Sequence, residues 1–214
     1  MILYAGKTKE RQGSSTSPEN LSILKSIIEG RVNRLVELGF HQEFYPQVSS
    51  EEAKSLYKKD FVLPEGVLLP EGQGAFPEIF VIDPRIKNRS LLRLGEIVEF
   101  IGLRDDPVSS KEKPYLAFTS YTDSFRGLEP DEAVGKFRDN EIGFNLSELM
   151  YLYVEVPGFF NNQGLYAVES KKWNLFSYLV KFHGRQEIHV ASVGYPSEYF
   201  RVISRLKETI ILGS

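Results

Sequence analysis

Apolar residues first recur with a regular period at Leu21. Leu21, Leu24, Ile28, Leu35 and Leu38, with Ile27 beside them, follow spacings of three, four and seven and draw one stripe along a helix. Ser17 is placed to cap it, Pro18 suits the first helical position, and Glu19 favours the positive end of the dipole. Gly39 ends the run, as a residue tolerant of left-handed backbone should. A second helix is expected over 50–58, capped by Ser49 or Ser50 and held by Leu56 and Tyr57. Residues 62–77 repeat Leu-Pro-Glu-Gly and carry Gly74 and Pro77, so regular structure is not expected there.

Strand patterns follow. Ile79–Ile82 is a short apolar run closed by Asp83-Pro84, and Tyr115–Phe118 is another after Pro114. Residues 90–103 fit a helix through Leu91, Leu94, Val98 and Ile101, and a strand through Ile97, Glu99 and Ile101; helix is preferred. Two helices are expected next, one from Pro130 with Ala133, Val134 and Phe137. The other follows Asn145, with Leu146, Leu149, Met150 and Tyr153 on its apolar side, and ends at Pro157-Gly158. Residues 164–169, 174–182 and 187–193 alternate as strands, with 183–186 as a hairpin turn. Residues 197–208 fit a helix capped by Ser197 or a closing strand.

These elements sum to an α+β chain: N-terminal helices, a mixed central part and an antiparallel C-terminal sheet. Residues 1–17 are polar after Met1–Tyr4 and lack periodicity, so they are read as a flexible arm. Residues 18–214 are read as a single domain, with 62–77 as the candidate internal boundary.

Composition narrows the chemistry. The 214 residues include no cysteine, which excludes a disulfide scaffold, a thiol nucleophile, a Cys-ligated zinc site and an iron–sulfur cluster. A cytoplasmic, soluble protein is expected, since no apolar run approaches the ~18 residues of a membrane span and no export signal is visible. The net charge of −3 gives no general pull toward nucleic acid or anionic lipid.

Several segments carry a family likeness. These are Arg31–Phe40 with its Leu-Val-Glu-Leu-Gly, Lys113-Pro114-Tyr115-Leu116, Leu128–Ala133 with its Pro-Asp-Glu-Ala, and Phe144–Leu149 before Pro157. In order and spacing the chain resembles a family of bacterial proteins of about this length, known only as a domain of unknown function. The likeness covers roughly residues 25–205. It implies the same order of helices and C-terminal sheet, and no activity.

Candidate chemistry is sparse. Of the three histidines, His183 and His189 stand six apart around the hairpin, with Glu169 and Glu187 as the nearest further ligands; the spacing matches no metal motif, and no metal or cofactor is expected. Tyr121–Ser124 follows a strand, where an α/β enzyme places catalytic groups, but it also reads as an Asx turn. Asp105-Asp106 and Asp83, each before proline, read as turn chemistry. The one shift in composition runs from 170 to 185, where Lys171, Lys172, Lys181 and Arg185 are interleaved with Trp173, Phe176, Tyr178 and Phe182. Basic groups among aromatics on a sheet can hold single-stranded nucleic acid. Phe176, Tyr178, Val180 and Phe182 alternate, however, so they share one face, and burial as core is preferred.

The sequence therefore points first to a non-catalytic binding or protein-interaction domain, with Lys171, Lys172, Trp173, His183 and Arg185 as candidate binding residues. An enzyme using Asp123, His183 or Glu187 and a nucleic-acid binder are the alternatives. A protein partner is left open, nucleic acid is disfavoured, and no membrane partner is expected.

Overall fold

The computed structural model describes residues 17–69, 78–99, 112–120, 125–156, 158, 163–172, 175–182, 185–192 and 199–213. Helix α1 spans Pro18–Glu37, and the Ser17 hydroxyl accepts the Asn20 N–H at its start. Its end is a Schellman motif. Gly39, at φ 90°, donates its N–H to Val36 O, and Phe40 donates to Leu35 O. Phe40 and Leu35 are both fully buried, so the motif also sets the apolar contact that accompanies it. A short α2 (His41–Phe44) follows, then α3 (Ser50–Lys59), whose first turn is closed by Ser49 Oγ accepting from Glu52 N.

Strand β1 (Glu78–Ile82) leads into α4 (Asn88–Leu94) and β2 (Ile97–Glu99). The stretch from 90 thus divides: the helical reading holds to Leu94 and fails over 95–99, and residues 100–103 lie outside the described residues. A side chain at Gly95 would meet Leu91 O and Val154 Cγ1, each at 2.7 Å, so the chain must turn there with no side chain. Glu96 completes the turn at φ 53°. Next come β3 (Tyr115–Ser120), α5 (Pro130–Val134), β4 (Glu141–Gly143) and α6 (Leu146–Glu155). The C-terminal region supplies β5 (Gly164–Lys172), β6 (Leu175–Phe182), β7 (Arg185–Ser192), β8 (Phe200–Val202), β9 (Ser204–Leu206) and β10 (Ile210–Ile211). Strands β8 and β9 take up 200–202 and 204–206, so the helical alternative there is lost; Ser197, its expected cap, lies outside the described residues.

Two five-stranded sheets form. The first runs β1-β3-β9-β4, with β10 also on β3, and its pairings are antiparallel. The second runs β2-β7-β6-β5-β8. Its centre, β5-β6-β7, is the expected antiparallel meander, but β2 joins β7 and β8 joins β5 in parallel. Those two flanking strands arrive from distant parts of the chain, which no local pattern announces.

Helix α6 touches β1 of the first sheet, β5 and β6 of the second, and α1 and α4. Nine of its ten residues are buried, so it is a central helix rather than one with a single apolar face. Asn145 and Glu148 close its start as a capping box. The main core extends from Leu24 of α1 to Leu212 and takes Leu165, Ala167, Leu179 and Ile188 from the inner face of the second sheet. A smaller cluster covers part of that sheet's outer face, where Phe125, Ala133, Leu128 and Phe137 pack on Tyr166, Val168, Phe176 and Val202. Among the described residues, no helix is long and apolar enough to cross a membrane.

Candidate functional site

Side chains alternate along a strand, so the outer face of the second sheet is made by every second residue. Pairing sets Tyr166 beside Tyr178 and Tyr178 beside His189, giving one row across β5, β6 and β7. The Tyr178 and His189 rings stack with centroids 5.5 Å apart and planes 15° from parallel. Phe200 meets Tyr178 edge-on at 4.9 Å and Tyr166 at 5.3 Å. Gly164 makes room for it: a side chain there would stand 2.5 Å from the Phe200 ring.

Glu187 lies two residues before His189, on the same face, and its Oε2 is 2.9 Å from His189 Nε2. A carboxylate on one ring nitrogen fixes the imidazole's orientation. Tyr178 is half-buried, and burial with the neighbouring Glu187 charge raises its pKa, so the phenol keeps its proton. Tyr166 is raised likewise, first by burial and then by Tyr178 and Glu129. The cover of α5 stops short of the far end of the row, leaving the His189 side chain 33% exposed. The face thus offers a rigid aromatic surface, an oriented imidazole and a carboxylate.

Trp173, His183 and Asp123 lie outside the described residues. Lys171 and Lys172 end β5, and Lys172 pairs with Leu175 after a register shift. Arg185 opens β7 opposite Phe182, two residues before Glu187. Only the backbone positions of Lys171, Lys172 and Arg185 belong to the description. The expected alternation of β6 is present, since Phe176 is buried in the smaller cluster and Tyr178 packs against it. Leu179, on the opposite face, is equally buried, so the strand is covered on both sides. Glu169 is exposed and His41 is buried in α2. Among the described residues, no three metal-ligating side chains converge.

Among the buried acids, Glu148 and Glu155 drew no notice in the sequence, and Asp83 was read there only as a turn. Asp83 does turn the chain, accepting the Arg85 N–H at 3.2 Å, but it is also fully buried. Arg85 grips both its oxygens at 2.7 Å, through Nε and Nη2, and sends Nη1 to Asp60 at 2.7 Å. The guanidinium also sits 4.7 Å from the Phe44 ring centroid. Burial works against the Arg85 charge, yet its bonds to Asp83 and Asp60 overcome that and raise its pKa. Tyr151 donates its hydroxyl to Asp83 O at 2.6 Å. Burial, reinforced by the Asp83 charge, pushes the Tyr151 and Tyr57 phenols well up.

Glu148 accepts from Tyr115 at 3.1 Å and pairs with Arg205 at 3.0 Å. The Asn145-Leu-Ser-Glu148 spacing of a capping box was the signal for it. Glu155 is fully buried; it accepts the Val81 N–H at 3.0 Å, and Arg31 Nε stands 4.0 Å away. Burial raises its pKa well above the ordinary carboxylate value, against the pull of Val81 and Arg31. These acids are enclosed by core and bonded to backbone or arginine, which is the placement of structural rather than reacting groups.

No family model, curated protein or solved structure matches the chain.

Proposed function

We propose that this chain is a binding domain without catalysis of its own, taking a protein partner on the outer face of its second sheet. The observation that supports this most directly is the half-open Tyr178–His189 stack beside Glu187. Aromatic side chains with a polar tip are favoured at protein interfaces, because they bury large area at little entropic cost. A carboxylate at the edge of the stack suits a partner carrying arginine or lysine, and it works against a phosphate backbone. Lys171, Lys172 and Arg185 stand close in sequence, so the single-stranded nucleic-acid reading is tested beside the first. On the Leu-Val-Glu-Leu-Gly, Pro-Tyr-Leu and Pro-Asp-Glu-Ala segments alone, we further infer membership of the bacterial family they resemble. A cysteine-free composition fits a reducing compartment, and a cytoplasmic setting belongs to the same reading.

The test is selection of displayed peptides on the folded chain, followed by affinity measurements on Tyr178→Ala and His189→Ala. A shared motif containing a basic residue, with affinity lost roughly tenfold or more in both variants, is the expected result. Failure to enrich any motif, or unchanged affinity in variants with intact circular dichroism, removes the proposal. Salt-sensitive binding of labelled oligonucleotides by the same face would replace it with the nucleic-acid reading.

A further inference from the structure

Helix α1 buries one face in the core, and on its flank the 61–68 segment leaves a groove. Two clefts of about 330 and 310 Å³ make it up, and they share Lys25 and Leu63. Its apolar lining includes Leu21, Phe61, Leu63 and Val67. Val62 and Leu68, also in the lining, are 56% and 50% exposed. Together with the apolar lining they make a continuous apolar surface, the kind that marks a contact site.

The charges of the groove decide what fits it. Lys25, Glu29, Lys58 and Glu65 line it, two of each sign. Among the described residues none of the four forms an ion pair, although Lys25 and Glu29 stand one helical turn apart. A partner of one dominant sign would satisfy two of these groups and repel the other two. A surface with the same two lysines and two glutamates, turned by a two-fold axis, satisfies all four.

We propose that the occupant is a second copy of this chain, joined through an isologous contact. The axis crosses α1 between Lys25 and Glu29, so the two α1 helices run antiparallel and each lysine faces the other copy's glutamate. Val62 and Leu68 of each copy then close on the apolar lining of the other. This contact lies on α1 and the 61–68 segment, so it is independent of the binding face proposed on the second sheet.

Sedimentation equilibrium on the full chain, over protein concentrations up to about 1 mM, measures the association. The expected mass rises from one chain toward two and goes no further, because an isologous contact closes. Leu68→Asp, at an exposed position, should hold the chain at the monomer mass with unchanged circular dichroism. Lys25→Glu and Glu29→Lys should each weaken the dimer about fivefold, and the double exchange should restore it. A monomer at every concentration, species larger than two, or a double exchange no better than the singles overturns the proposal.

Discussion

Arg31 and Glu155 together close the free edge of β1. Among the described residues, strand β1 pairs only with β3, and residues 79 and 81 turn their backbone groups away from it. Arg31 Nε donates to Ile79 O at 3.2 Å, and Glu155 Oε2 accepts from Val81 N at 3.0 Å. The same arginine sends Nη1 to Glu155 O at 3.2 Å, at the carbonyl end of α6, where a cation is favoured. One pair of side chains therefore covers a sheet edge and a helix end.

Arg31→Ala should cost about 2 kcal/mol, since two buried carbonyls lose a charged donor. Arg34 makes a 3.3 Å bond to Val154 O and an exposed 3.4 Å contact with Glu37, and Arg34→Ala should cost under about 1 kcal/mol. Urea unfolding of the two variants at neutral pH gives the comparison. Equal losses would mean that the edge of β1 gains nothing from Arg31.

Glu155 makes stability depend on pH in a direction opposite to a paired carboxylate. Its folded-state pKa lies above the ordinary 4.5, so the folded chain holds a proton that the unfolded chain releases. That contribution is complete below the unfolded value and is lost as pH rises toward the folded one. Glu155→Gln keeps an acceptor for Val81 and has no proton to lose. Thermal unfolding from about pH 5 to 9 should show the variant gaining on the parent as pH rises. Parallel curves would place the proton elsewhere.

Arg85→Ala removes the charge that grips both oxygens of Asp83, whose side chain is wholly inside. Leaving that carboxylate unpaired should cost about 3 kcal/mol. Arg85→Lys should recover only part of the loss, because a single ammonium cannot reproduce the fork across both oxygens. Denaturant midpoints order the three proteins, and a lysine variant equal to the parent would mean the fork is not what matters.

Gly164→Ala should cost about 1–3 kcal/mol, since the Phe200 ring occupies the space a methyl needs. The displaced ring abuts Tyr166 and Tyr178, so the near-ultraviolet circular dichroism should change with it. An unaltered spectrum would show that the ring yields without disturbing the row.

The ends of α1 were legible because their signals are local. Ser17, Pro18 and Gly39 each act within four residues, and the structure uses them for cap, first turn and Schellman motif. Asp83 was legible only in half. Its turn is made with Arg85 nearby, but Tyr151, which bonds its carbonyl, is 68 residues away. The break after Leu94 was hidden in part for the same reason, since Gly95 answers to Val154 of α6 as well as to Leu91 in its own turn. At the candidate site, the alternation of Phe176 and Tyr178 was visible, whereas the cover by Phe125 and Ala133 on one face and the core on the other was not. That asymmetry, and not the run of aromatics, leaves Tyr178 and His189 half-open.

The all-round burial of α6 bears on the order in which the chain folds. The β5-β6-β7 meander closes through short loops and can pair early, whereas α6 must meet β1 and α1 across more than seventy residues. Neither sheet can shed water from its inner face until this helix arrives between them. Docking of α6 is therefore expected to limit the folding rate: in stopped-flow measurements Leu149→Ala should slow refolding, whereas Ala133→Gly, in the α5 cover, should chiefly hasten unfolding.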